Sequence, residues 1–314
     1  MSRHSTPVVF LLLVALLAPA TLPAQRDLAR ADSLLRAGRV SRAEAVYFAA
    51  ARQRPRDPAA RLALGRYLAA RGATRVGAVL IEEAWRFGAA PGVAATHLAP
   101  LYARLADWQA LARLDRAPLS AGERARAAWL ADNRSESTGP DSVALPLLPG
   151  RDGPAEVLIA VGADTIRAQV VPRAVGLVLD GSMAAAAGVR VFTGGATDSR
   201  QGAAVAREVR VGSLMLRNEP VRLEPLGAGR AQVGLELLAR YAATVDPVAR
   251  TLTLRRSGRV ARGGGTRVPL LREGRDAQVA WNGRLEPLGG VTLAGYLSRG
   301  RWTVDARRGE LVLE

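Results

Sequence analysis

The sequence predicts an α+β multidomain protein, with a helical N-terminal part followed by an all-β C-terminal part. Three observations predict it. Gly38, Gly72 and Ala106 recur at intervals of 34 within 26–130, a stretch that has no good strand pattern. From about 136 the texture turns to Pro, Gly and Ser and then to short alternating runs. Near the C-terminus the chain repeats itself: 237–246 aligns without gaps to 296–305, and Leu252 and Leu254 match Leu311 and Leu313. A fixed 34-residue period marks one helical hairpin per unit. Short alternating runs bounded by turn residues mark strands.

At 314 residues, 49% hydrophobic and 23% charged, the chain has room for more than one core. Residues 1–24 form a signal peptide by pattern. Arg3 precedes the apolar run 8–17, too short to span a bilayer, and small residues lead to Ala20 and Ala24. The mature protein is therefore expected to be exported, periplasmic or secreted, and not membrane-spanning. It has no Cys, so nothing is stapled although export would permit it. The net charge of +16 raises the question of nucleic acid. All 44 basic residues are Arg, however, spread over both halves, and aromatics are 4%. Nucleic-acid sites cluster their basic residues and interleave aromatics, so no nucleic-acid partner is expected.

The helical part is assigned to 25–135. Around the first turn, Leu34 and Leu35 lead through Gly38 to Ala43, Tyr47 and Ala50, which share one helix face, and Pro55 stops the helix. The next unit has Leu64 and Gly65, the turn at Gly72, then Gly77, Ile81 and Ala84. A third runs through Leu98, Tyr102, Ala106 and Leu111. These units resemble tetratricopeptide repeats. The resemblance implies either a docking surface for a peptide or protein, or a short structural spacer. Trp85, Phe87 and Trp108 read as packing between helices, and His97 as a surface or half-buried residue.

The β part begins at 136. The runs 156–161 and 165–171 flank Gly162-Ala163-Asp164, and 208–211 and 214–216 flank Gly212-Ser213, so both read as hairpins. Val221 and Leu223 alternate with Arg222, as on a strand with one buried face. A short helix is expected at 235–241.

Two stretches carry a family resemblance. The segment 169–189 contains Gly176-Leu177-Val178-Leu179 and ends in Ala187-Gly188-Val189. Farther on come Gln232-Val233-Gly234-Leu235-Glu236-Leu237-Leu238, Thr244-Val245-Asp246 and Leu252-Thr253-Leu254. Over about 155–256 the chain resembles retropepsin-like aspartic proteases, which implies a β-barrel domain, here 136–258. On this alignment the family's catalytic Asp-Thr-Gly is replaced by Val171-Pro172-Arg173, so the resemblance implies the fold without the chemistry. The echo at 296–313 makes 259–314 a partial second lobe, joined by the Arg- and Gly-rich linker 259–265. It would stand in for the dimer partner that single-lobe members need, and a homodimer remains an alternative.

Composition limits the chemistry further. One mature His and no Cys exclude histidine triads, thiol nucleophiles and zinc sites of N and S ligands; the absence of Lys excludes Ser-Lys dyads and Walker-type phosphate loops. No cofactor or metal is expected. Carboxylates remain, and an aspartic protease needs two of them sharing a proton. Asp180, in Asp180-Gly181-Ser182, is the one catalytic candidate; its other reading is a turn or N-cap residue opening a helix at 183–187. Asp164 belongs to a hairpin turn, and Asp246 and Asp305 each open a turn after an apolar strand. The expected function is binding of a peptide or protein by a barrel that has lost catalysis. The alternative is an active endopeptidase using Asp180.

Overall fold

The computed structural model describes residues 21–150, 153–173, 175–186, 188–193, 202–227, 229–258, 260, 264–273 and 276–314. The segment read as a signal peptide lies outside them except for its last four residues, with which α1 begins. Most of the linker 259–265 lies outside them too.

Helices come first: α1 (Thr21–Arg36), α2 (Val40–Gln53), α3 (Pro58–Ala70), α4 (Thr74–Arg86), α5 (Pro91–Arg104), α6 (Trp108–Ala112) and α7 (Ala121–Asp132). They start where the sequence supplies caps. Asp57 accepts from the Ala59 N–H at 2.8 Å and Pro58 takes the first helical position, where a missing N–H costs nothing. Ser120 and Glu123 close a capping box on α7. The residues at 34-residue spacing all end helices in the left-handed region: Gly38 at φ +68°, Gly72 at +91° and Ala106 at +53°. After each, the next N–H reaches back to the carbonyl of Leu34, Leu68 or Tyr102 at 2.9 Å, the bond that satisfies a frayed helix end. Gly65 and Gly77 set the α3–α4 approach, since a Cβ on either would stand within 2.9 Å of the other's carbonyl oxygen.

The predicted hairpins are β4 (Gly153–Val161) with β5 (Asp164–Val170), and β8 (Gly202–Val211) with β9 (Leu214–Glu224). With β6 (Leu177–Asp180) and β10 (Arg230–Val233) they form a ring in the order β9-β6-β10-β5-β4-β8, which the β8–β9 pairing closes into a barrel. Closure leaves no exposed edge within the ring. Three further strands pair with stretches of β9, β4 and β8 beyond their ring neighbours: β1 (Glu136–Thr138), β3 (Leu148–Gly150) and β7 (Val189–Phe192). The expected helices appear as α8 (Met183–Ala186) and α9 (Leu235–Arg240), the latter burying Leu235, Leu237, Leu238 and Ala239 in the β core.

A second sheet, antiparallel throughout, runs β15-β14-β13-β17-β16-β11-β12-β2. Its strands are β2 (Ser142–Pro146), β11 (Thr244–Asp246), β12 (Thr251–Arg255), β13 (Thr266–Glu273), β14 (Asp276–Trp281), β15 (Arg284–Pro287), β16 (Trp302–Asp305) and β17 (Glu310–Leu313), with α10 (Val291–Leu297) between β15 and β16. The sheet joins strands from both sides of position 259. It also displays the sequence echo as geometry. β11 and β16, equivalent by the 59-residue offset, pair antiparallel with Thr244 opposite Thr303, and their hydroxyls lie 2.8 Å apart. Outward from that pair, β12 and β17 are equivalent, and β2 on one side answers β13 on the other.

The helices and the β part share cores. Val205 of β8 packs with Trp108 and Leu130, and Leu271 of β13 packs with Tyr47, Leu64 and Tyr67. The face of α1–α3 that carries these tyrosines is thereby covered by the chain's own β13–β15. Trp108 is buried as expected, whereas Trp85 and Phe87 stand on the surface, 36% and 40% exposed. Both lie at the end of α4, beyond the face that α3 covers.

Candidate functional site

β6 is buried at every position and is held on both sides, parallel to β9 and antiparallel to β10. Leu177 and Leu179 point into the ring core. The two-residue strand period puts Asp180 on the opposite face, at the strand's end, where it is 6% exposed. Gly181 continues the strand pairing by donating to the Glu224 carbonyl at 3.3 Å.

Asp180 is met by donors on both oxygens. Oδ1 accepts from the Ser182 N–H at 3.0 Å and from the Ser182 hydroxyl. Oδ2 accepts from the Leu226 N–H at 2.9 Å, and the Gly227 N–H adds a further bond from the same loop. The Ser182 hydroxyl above all, with these backbone donors, holds the carboxyl below the usual carboxylate range against the opposing effect of burial. Glu224 is its register partner on β9, but that side chain turns to Arg222 at 3.9 Å. Asp180 is thus an ionised acceptor with its lone pairs engaged. A proton-sharing carboxylate pair requires a second acid that keeps one proton at the site, and no hydrogen bond among the described residues joins Asp180 to another acid.

Val171 follows β5 and donates its N–H to the Val233 carbonyl at 3.0 Å. The loop after it is tied to the start of α9: Leu235 N–H donates to the Arg173 carbonyl at 2.7 Å, and Glu236 N–H to the Val175 carbonyl at 3.1 Å. Gly234 leaves no room for a side chain against Val175. Val171 itself is buried and carries no ionisable group. The other candidate acids stand at turns. Asp164 begins β5 at the hairpin, Asp246 accepts from the Ala249 N–H at 2.8 Å, and Asp305 accepts from the Arg308 N–H at 3.3 Å. In the second unit the chain passes from β15 through Leu288, Gly289 and Gly290 into α10, so among the described residues it has no strand in the place of β6 and no counterpart of Asp180. Among the described residues no cluster of His, Cys, Asp and Glu is arranged to hold a metal ion. No helix among them is long and apolar enough to cross a membrane.

Sequence reasoning found Asp180 and the Gly181 and Ser182 that follow it. It missed the loop of Leu226 and Gly227 that closes over the carboxylate, because backbone N–H groups from 46 residues away leave no trace in residue identity.

No family model matches the chain, and no curated protein matches it. Among solved structures it is similar to one described as the crystal structure of a retropepsin-like aspartic protease from Rickettsia conorii. The identity is 17%, the match covers 38% of this chain and 92% of that one, and the TM-score is 0.28.

Proposed function

We propose that the chain is an exported, non-catalytic protein in which a tetratricopeptide-like helical stack carries a retropepsin-like barrel that binds an extended peptide or protein without cutting it. The observation that carries this reading is the Asp180 carboxylate, whose two oxygens are taken by Ser182, Leu226 and Gly227. An aspartic-protease dyad must present a free lone pair and a second acid that shares its proton, whereas Asp180 has both oxygens engaged and no hydrogen bond to another acid among the described residues. The second unit adds support: among its described residues it brings no β6-like strand, and its β16 pairs with the edge of β11. Neither nucleic acid, metal nor cofactor enters the proposal.

A second reading keeps one observation of its own. Asp180, unlike Val171, ends a strand held from both sides and is followed by Gly181 and by the Ser182 N–H on its carboxylate. That is the placement an aspartic endopeptidase would need for its first acid. Incubation with an unstructured peptide library between pH 3 and 6 separates the two readings. We expect peptide binding without turnover, in wild type and in Asp180→Ala alike. Pepstatin-sensitive cleavage that disappears in Asp180→Ala would establish the endopeptidase instead.

A further inference from the structure

Between the helical part and the barrel lies a cavity of about 370 Å³ that Asp180 does not line. Pro100 and Ala103 of α5 form one wall, and Val178, Leu237 and Ala239 form another. Five arginines reach it from five elements: Arg104 (α5), Arg126 (α7), Arg222 (β9), Arg240 (α9) and Arg272 (β13). Glu219 and Glu236 are the acids in its lining, and both are committed. Glu236 bridges Arg104 at 2.9 Å and Arg272 at 3.4 Å, while Glu219 holds Arg240 at 2.5 Å. Arg222 turns to Glu123 at 3.6 Å. Arg126 donates to the Val221 carbonyl at 3.0 Å and forms no ion pair among the described residues.

The cavity therefore keeps an excess of positive charge and also keeps unused donors. Arg126 Nε, Arg272 Nε and Trp108 Nε1 are each buried with no acceptor among the described residues, and Arg272 and Trp108 are each only 6% exposed. Buried donors are normally satisfied, so three on residues that line one cavity, Trp108 bordering a second as well, call for an explanation. Burial holds the Arg126 guanidinium down to about 10 and lowers that of Arg272 as well, although Glu123 near the first and Glu236 near the second pull the other way. An anion beside them would favour the charged form of both.

We propose that this cavity binds a small solute bearing an oxyanion, a carboxylate or a phosphate, held by the Arg126 and Arg272 guanidinium groups and the Trp108 indole N–H. Planar guanidinium donors suit both groups, and charge-assisted bonds of this kind are the strong ones. The volume lies near the small end of ligand pockets, which span about 300–1,000 Å³. Arg222 and Arg240, with side chains 30% and 40% exposed, stand at its solvent side. The apolar wall of Val178 and Leu237 would take the carbon part of an organic anion. The site is independent of whether the barrel cleaves peptide.

Calorimetric titration of the full chain tests this, with inorganic phosphate and with succinate, each against chloride at equal ionic strength. Saturable binding of at least one is expected, and which one binds identifies the group. Arg126→Gln and Arg272→Gln should each weaken it about tenfold, as loss of a charge-assisted contact requires, whereas Arg86→Gln, on the surface with a side chain 70% exposed, should leave it unchanged. Should either variant fail to fold, Trp108→Phe keeps the ring and removes only the N–H. A several-fold loss supports the site. Absence of saturable binding by both anions, or unchanged affinity in the variants that fold, overturns it.

Discussion

Asp180 shows how a single residue can be placed like a catalyst and yet be held like a structural ligand. Its side chain is buried, and its acceptors meet N–H groups from two segments of chain. Asp180→Asn replaces one oxygen by an NH₂ that must face N–H groups, so a donor opposes a donor. Hydrogen bonds to a buried charged group are worth about 1.5–3 kcal/mol, and urea unfolding at pH 7 should show a loss in that range. The pH dependence has a definite sign. The folded-state pKa lies below the unfolded value of about 3.9. The stabilisation is therefore fully present above that unfolded value and is lost as pH falls through the folded-state pKa. The difference between wild type and Asp180→Asn should accordingly shrink as unfolding is repeated at successively lower pH below 4; a constant difference would show that the charge is not what the donors hold.

At the scale of elements, the helical period was legible because each unit needs a left-handed residue to end its helix. Gly38 and Gly72 meet that need without a Cβ clash, and they also let the turns lie directly on the β part. A Cβ on Gly38 would meet the Arg284 backbone at 2.7 Å, and one on Gly72 would run into the Ala306 carbonyl. Gly72→Ala therefore incurs both left-handed strain, about 1–2 kcal/mol, and a clash with the β part, and thermal melting should fall by more than the strain alone predicts. Ala106 occupies the third equivalent position at φ +53°. There Ala106→Gly should raise stability by about 0.5–1 kcal/mol, because relief of the strain exceeds the entropy that glycine adds to the unfolded chain. The two hairpins, the short helix after Gly234 and the echo after 237 were legible for similar reasons, since each is written in neighbouring residues. The cavity arginines were not. They come from positions 104, 126, 222, 240 and 272, and each alone looks like one more member of a dispersed basic surface.

The whole molecule is held together by pairings that no local pattern announces. The closure of β8 on β9 forms a readable hairpin, but the insertion of β6 between β9 and β10, and the reach of β2 to β12, join segments far apart in sequence. The same holds for the second sheet, in which β11 from the first unit and β16 from the second meet at Thr244 and Thr303. A chain ending at 258 loses much more than an appendage. It leaves the edge of β11 without a partner, removes Trp302, Val304, Leu311 and Leu313 from the β core, and takes Leu271 and Leu285 away from the tyrosine face of the helices. Burying a side chain of this size is worth about 1.5–3 kcal/mol, and the residues left behind lose the cover these side chains gave them, which is large beside the 5–15 kcal/mol net stability of a typical domain. An unpaired strand edge beside exposed apolar surface also favours association. The truncated chain should therefore aggregate or elute as large species in size-exclusion chromatography, with no cooperative thermal transition. A monomeric 1–258 product that melts cooperatively near the full-length temperature would show that the second unit rests on a first one complete without it.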